Sequence, residues 1–386
     1  MSMPLDCPLI EVSGTPLERG RQYGEQAVDR VRKGVGHYSE QIQRNGLSQM
    51  DLEAITDKFA GSIATFGQHY IDEMKGIAEG AGISFTDVML LNARTEVLKM
   101  AHRRQKGAGD FIDPDGCTGV LVLPSASNDG KLIHAQNWDW KAECAETAVV
   151  LKIRRDDGPD IITFTEAGGL ARTGFNSAGI SISGNYLESD RDYRTLGVPL
   201  SVIRRNMLEQ RQLALAMQSV YATAKSASNN IIMGHVHGFG LNFECAPNES
   251  FLVHPTDGLI VHANHFQSPV ALAKLKDCGI ANMPDSLYRD TRVHELLRDK
   301  VGSITVEHVK KALWDDFESP FAVCRPPRKS MSNNLTATVA MIVMQPATGT
   351  LQVSILPALN TSFFDYSLTM DVQAINQDGR HQVEAA

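Results

Sequence analysis

A change of texture at residue 116 constrains the fold of this chain more than any other feature of it. Before that point apolar residues recur at helical spacing; after it, short β-rich runs are separated by Gly, Asp and Pro. Gly14-Thr15-Pro16 is a turn signal that opens a charged helical stretch, GTPLERGRQYGEQAVDRVRKGV. Two further helical runs cover residues 50–66 and 70–79, the second closed by Gly80 and Gly82. Ser84-Phe85-Thr86-Asp87 reads as a cap leading into VMLLNARTEVLKM, and a polar loop over 105–116 ends this third of the chain. TGVLVLP, KLIHAQNW, AVVLKIR, IITFTEAG and AGISISGN then read as strands, followed by a helical stretch over 199–227. Strands resume with NNIIMGHV, GFGLNFEC, SFLVH and GLIVHAN; helices fit 286–300 and 305–314; ATVAMIVM and TLQVSIL close the chain. Grouped strands and grouped helices, without strict βαβ alternation, predict an α+β layered protein. No linker divides the β-rich part, so we expect one domain.

Composition enters where it excludes classes of function. At 386 residues, with 42% hydrophobic and 21% charged, the chain can bury a large core without disulfide staples. A net charge of -8 argues against binding nucleic acid or an anionic membrane, because both need clustered positive charge. No apolar run is long enough to span a bilayer. MSMPLDCPLIEV lacks a basic start followed by an apolar segment, and HQVEAA is not an SKL-type address, so the expected location is the cytoplasm. The six cysteines make no CxxC and no zinc-like spacing, so no metal is expected of them and at most one should be chemically special.

Asp115-Gly116-Cys117-Thr118 stands at the seam, where a cysteine at a strand's first position is either a reactive group or a small buried residue. Gln136-Asn137-Trp138-Asp139-Trp140 follows, placing Asn and Asp between two of only three tryptophans. Such polar groups are costly to bury unless hydrogen-bonded, which suits a pocket with aromatic walls and equally a packed turn. His235 and His237 share a strand face, but flanking glycines and the lack of a carboxylate partner argue against a metal. His262 and His265 are better supports for Asn264 than ligands; Arg103, Arg104 and Lys106 read as solvated surface, and Met341 and Met344 as core.

Taken in order, GTPLERGRQYG, GIAEGAGIS, MLLNARTE, DGCT, QNWDW, TEAG, GFNSAG, Gly197-Val198-Pro199, VHANH and PFAVCR cover most of the chain. In that order and spacing the sequence resembles the acyl-coenzyme A:6-aminopenicillanate (isopenicillin-N) acyltransferase family of N-terminal-nucleophile enzymes, which also includes amide hydrolases. The resemblance implies a four-layer αββα fold and a precursor that cuts itself between Gly116 and Cys117. Residues 1–116 would become an α-subunit and 117–386 a β-subunit that begins at the nucleophile. The freed α-amine, with a reference pKa of about 7.7–8.0, can act as base for its own thiol. By the same resemblance Asp139 lies beside that amine and the substrate, Asn264 donates to the oxyanion, and Arg325 organises the pocket and binds substrate. Asn176 resembles a second asparagine of bile-salt-hydrolase-like relatives, and Phe175 and Trp140 would line the substrate site. Trp140 replaces the phenylalanine of the penicillin enzyme, which puts identical substrate choice in doubt. No cofactor is expected, although acyl-coenzyme A could serve as co-substrate. The partner would be a small-molecule N-acyl amide, or an amine plus an acyl donor. Attack of water on an acyl-Cys117 thioester makes the enzyme an amidohydrolase, the favoured reading; attack of an amine makes it an acyltransferase. A ligand-binding relative without activity is a third reading, set against by intact Cys117, Asp139, Asn264 and Arg325.

Overall fold

The computed structural model describes residues 6–44, 46–106, 116–329 and 335–372. The expected loop 105–116 therefore lies largely outside the described residues, as do Asp115 and the side chains of Arg103, Arg104 and Lys106.

Strand β1 (Leu9–Val12) is followed by six helices: α1 (Pro16–Gln26), α2 (Val28–Arg44), α3 (Gln49–Phe66), α4 (Gln68–Ala81), α5 (Phe85–Asn92) and α6 (Arg94–Lys106). Three of them start at capping boxes, Thr15 with Glu18, Ser48 with Asp51 and Ser84 with Asp87. Each box satisfies amide groups that the first turn would otherwise leave without partners. Two of the expected long helices are broken, at Ala27 and at Ala93, where the backbone leaves helical geometry. Helices α1 and α4 cross very closely: a Cβ on Gly20 would meet Glu73 O at 2.0 Å, and one on Gly76 would meet Leu17 O at 2.2 Å. Only glycine permits that approach.

The rest of the chain supplies β2 (Cys117–Val122), β3 (Ile133–Lys141), β4 (Ala148–Ile153), β5 (Ile161–Glu166), β6 (Thr173–Asn176) and β7 (Ile180–Tyr186). The expected helix over 199–227 is two helices, α7 (Leu200–Leu208) and α8 (Leu213–Tyr221). After them come β8 (Asn229–His235), β9 (Phe239–Ala246), β10 (Glu249–Val253) and β11 (Leu259–His262). Helices α9 (Pro269–Lys274), α10 (Ser286–Arg298) and α11 (Val306–Leu313) precede β12 (Arg328–Lys329), β13 (Leu335–Gln345), β14 (Thr350–Ile355) and β15 (Phe364–Ser367).

These strands form two sheets. One runs β1-β4-β5-β6-β7-β8-β9-β10 and the other β11-β2-β3-β13-β14-β15, with β12 on β13. The helices of the first third, with α7 and α8, cover the outer face of the eight-stranded sheet through one large apolar cluster. Val293 and Leu297 of α10 and Val309 and Leu313 of α11 cover the other sheet, against Val120, Val122, Ile133 and Ala135. Between the sheets lie Leu121, Leu132, Ile232 and Ile260, and a polar row in which His134 bonds Ser181 and Ser183 and Gln136 donates to Gly184 O. The layers are thus helix, sheet, sheet, helix, the αββα order. Strand β1 was not expected; it adds in parallel to β4, Leu9 facing Val150 and Val12 facing Ile153.

Candidate active site

Cys117 is the first residue of β2 and is fully buried. Its register partner on β3 is Trp138, so the residues on either side of Trp138 project from the opposite face of that strand. Asn137 and Asp139 point outward, toward the α10 and α11 layer: Asn137 donates to Leu313 O and Val323 O, and Asp139 meets Thr338 and Arg325. The Cys117 amide and the Cys117 sulfur consequently look into two different environments.

On the amide side, Cys117 N–H donates to Asn264 Oδ1 at 2.9 Å. Arg289 Nη2 donates to the same oxygen at 2.8 Å, while its Nη1 donates to Cys117 O at 2.8 Å and Thr118 Oγ1 at 2.9 Å. A guanidinium and an amide N–H can only donate, so the orientation of the Asn264 amide is fixed. Asn264 Nδ2 donates to Tyr186 O, and Asn264 N–H donates to Ser286 Oγ. Arg289 Nε bonds Asp285 at 2.8 Å, and Asp285 also takes Arg325 Nη2. Arg325 Nε stands 3.2 Å from Asp139 Oδ2, and Thr338 Oγ1 donates to Asp139 Oδ1 at 2.6 Å. The four ions Asp139, Asp285, Arg289 and Arg325 are all buried and sum to zero charge. Burial pushes the Asp139 carboxyl above its ordinary value, against the pull of Arg325 and Arg289. Burial also opposes ionisation of Asp285, but Arg325 and Arg289 outweigh it and its carboxyl falls below the ordinary range. Gly116 packs on this quartet: a Cβ there would meet Asp139 Oδ2 at 2.8 Å and Arg325 Nη1 at 3.0 Å. Its carbonyl accepts from Asp139 N–H at 2.9 Å.

On the sulfur side, Arg172 Nη2 lies 3.6 Å from Cys117 Sγ, and its guanidinium stands 4.3 Å from the Trp138 ring centroid. Arg172 also lines a cavity of about 40 Å³, together with Arg94, Glu166, Asn185 and Arg204. Asn185 belongs to the same wall, donating to His262 O and Ala263 O and accepting from Gln136.

Cys117, Asp139, Asn264 and Arg325, singled out from sequence, are therefore brought together, with Gly116 over them. Asn176 is not. Thr173, on the same strand, bonds Gln136 between the sheets, so Asn176, three residues on, projects from the other face of β6. Its Nδ2 donates to Leu208 O and Gln210 O, and its Oδ1 accepts from Ile180 N–H; the whole amide is spent on a strand-to-helix corner. Phe175 is buried in the main apolar cluster. Trp140 shares the Trp138 face of β3, but its indole N–H is tied to Tyr38 OH at 2.9 Å, in a network where Tyr38 donates to Glu166 and accepts from Arg94. His262 pairs with Glu244, and His265 bonds Ser286 Oγ, the acceptor of the Asn264 amide N–H, so His265 braces Asn264 through Ser286. Sequence reasoning missed Arg172, Asp285, Arg289 and Thr338. No group of three or more metal-ligating side chains is found among the described residues.

Residues 125–355 match the family described as acyl-coenzyme A:6-aminopenicillanic acid acyl-transferase. Over 339 residues the chain is 29% identical to the 40 kDa form of acyl-coenzyme A:6-aminopenicillanic-acid-acyltransferase of Emericella nidulans, covering 85% of this chain and 87% of that one. Among solved structures it is similar to a conjugated bile acid hydrolase from Clostridium perfringens, at 12% identity and TM-score 0.46, over 65% of this chain and 92% of that one. It is also similar to penicillin V acylase from Agrobacterium tumefaciens, at 15% identity and TM-score 0.45, over 66% and 86%.

Proposed function

From the premise that this chain belongs to the acyl-coenzyme A:6-aminopenicillanic acid acyl-transferase family, enzymes that work on C–N amide bonds, we propose that it is a self-processing amidohydrolase with Cys117 as nucleophile. One observation carries the reading: the amide nitrogen of Cys117 is already seated as a future α-amine would need to be, on Asn264 Oδ1 beside a charge-balanced quartet.

Self-cleavage begins with attack of the Cys117 sulfur on the Gly116 carbonyl carbon. The C–N bond breaks, a thioester replaces the peptide, and water hydrolyses it to the Gly116 carboxylate and a free Cys117. The Gly116 oxygen already accepts from Asp139 N–H, so one donor for the developing oxyanion is in place before the reaction starts. In the mature enzyme the Cys117 thiol passes its proton to its own amine and attacks the substrate carbonyl. The tetrahedral intermediate collapses with transfer of that proton to the leaving amine. Water, activated by the regenerated free amine, then hydrolyses the acyl-thioester. Asn264 orients the amine through Oδ1, and its Nδ2, which donates to Tyr186 O, is the group offered to the oxyanion. Arg325 and Asp139 hold the wall against which the substrate is oriented.

The name of the Emericella relative favours a second reading, in which an amine takes the acyl group and acyl-coenzyme A supplies it. We place the enzyme in the cytoplasm, where its six cysteines, none in a disulfide, stay reduced. None of its described helices is long and apolar enough to cross a membrane. The test is twofold. On a denaturing gel the parent should give two bands and Cys117→Ala one intact chain near 42.2 kDa without activity; a cleaved Cys117→Ala chain overturns self-processing. Incubating mature protein with a panel of N-acyl amines, with and without a coenzyme A thioester, separates hydrolysis from transfer.

A further inference from the structure

Arg172 belongs to the segment between β5 and β6 and is buried, so its guanidinium carries a desolvation cost that its partners must offset. Two of its contacts help to position it. Its backbone N–H donates to Thr163 Oγ1 at 3.3 Å, and its guanidinium stands over Trp138, itself braced edge-on by Phe164 at 5.6 Å between ring centroids. Trp138 is the strand partner of Cys117, so the ring that positions the cation is registered to the nucleophile. A neutral thiol is a poor acceptor for a guanidinium, whereas a thiolate is a strong one.

We propose that Arg172 is a catalytic residue, its guanidinium 3.6 Å from the Cys117 sulfur holding that sulfur as the thiolate in the mature enzyme. The inference rests on the reading of Cys117 as nucleophile. The thiol proton moves to the Cys117 α-amine, the sulfur keeps the electron pair, and Arg172 loses nothing because a guanidinium is not deprotonated in proteins. The thiolate forms the C–S bond, the C–N bond breaks, and the α-ammonium returns the proton to the leaving amine. The α-ammonium formed by that transfer also favours the thiolate, and Arg172 adds a second cation that stays charged when the amine is neutral; the side-chain charges on the amide side do not duplicate it. Asp139 from β3, Asp285 and Arg289 at the head of α10, and Arg325 before β12 neutralise one another on the amide side. Around the cavity Arg94 pairs with Glu166, and Arg94 and Arg204 act on Glu96. His134, further along β3, is held neutral by burial that pushes it down to about 3.

The experiment follows alkylation of Cys117 by iodoacetamide against pH, located by peptide mass, in mature parent, Arg172→Gln and Arg172→Lys. In the parent the midpoint should lie below about 8.5, the value of a free cysteine thiol. Arg172→Gln should raise it by about one unit or more, a tenfold loss of thiolate below both midpoints, and move the acidic limb of kcat/KM with it. Arg172→Lys should recover most of the shift, since the charge survives. A parent midpoint at or above 8.5 overturns the proposal, as does an unmoved midpoint in Arg172→Gln. Should Arg172→Gln fail to fold, Arg172→Met takes its place in the same comparison with the parent and Arg172→Lys. Alkylation reads the sulfur and not the reaction: an enzyme that hydrolyses amides with an unmoved midpoint sinks only the role of Arg172. A parent that neither cuts itself nor presents a reactive Cys117 sinks both.

Discussion

The two flanks of Cys117 are built on opposite plans. On the amide side four ions compensate one another within a closed set of hydrogen bonds, two carboxylates against two guanidiniums. On the sulfur side a guanidinium stacked on an aromatic ring stands directly against the Cys117 sulfur and borders a cavity. The first arrangement holds geometry and barely biases charge; the second biases charge. Under the proposed function, a nucleophile that must carry an amine and a thiol in different protonation states needs both kinds of surroundings within a few ångströms. A β-strand supplies that, because successive residues face opposite ways.

The amide-side plan is broken most severely by removing Asp285. Asp285→Ala leaves Arg289 and Arg325 buried with one carboxylate between them, and should cost about 3–5 kcal/mol of stability. Urea unfolding of the intact chain measures this; a loss below 1 kcal/mol would mean that the quartet is not mutually compensating. Next is Asn264→Ala, which should lower turnover by roughly 100- to 1,000-fold, on the scale of one lost oxyanion donor, with ground-state binding little changed. Near-normal turnover would leave Asn264 only the task of seating the amine. A smaller effect is expected of Asn176→Ala, which leaves buried carbonyls and an amide N–H without partners, at about 1–3 kcal/mol. Its kcat/KM per folded molecule should match the parent; a selective kinetic loss would return Asn176 to the site.

The smallest effects are in pH dependence, and the two aspartates should differ in sign. Asp285 sits below its ordinary value, so the stability it adds is full above about 3.9 and is lost as pH falls through its depressed value. Asp139 sits above, so its contribution is full below about 3.9 and is lost as pH rises through its raised value. Asp285→Asn should flatten the acid side of a stability-against-pH curve, and Asp139→Asn should remove a decline on the other side. Urea midpoints across that range tell them apart.

Local chemistry made much of this legible. Ser84 and Asp87 announced their cap, and Cys117, Asp139, Asn264 and Arg325 stood in motifs whose order along the chain is distinctive. The helix breaks at Ala27 and Ala93 carry no proline or glycine to mark them in the sequence. Asp285 and Arg289 are four residues apart at a helix start, a spacing that reads on paper as an exposed ion pair. Only the placement of α10 against β2 and β11 makes that pair part of the site. Arg172 was hidden for a related reason: in the segment TEAGGLARTG an arginine looks like a solvated loop residue, and its partners lie 34 and 55 positions away. Asn176 misled in the other direction, because its motif describes a turn as well as a site.

Strand β1, on the amino-terminal side of Gly116, is zipped in parallel onto β4, which comes from the other side. A cut after Gly116 then divides the chain without dividing the sheet, and the two pieces should travel as one particle until denatured. Refolding is another matter. A single precursor closes this sheet within itself, whereas the two products would have to meet in solution, so recovery from unfolding should depend on concentration where the precursor's does not. The mature enzyme would inherit a shape that its separated parts are poorly equipped to rebuild. Its lifetime would be governed less by an equilibrium than by how slowly that first strand lets go.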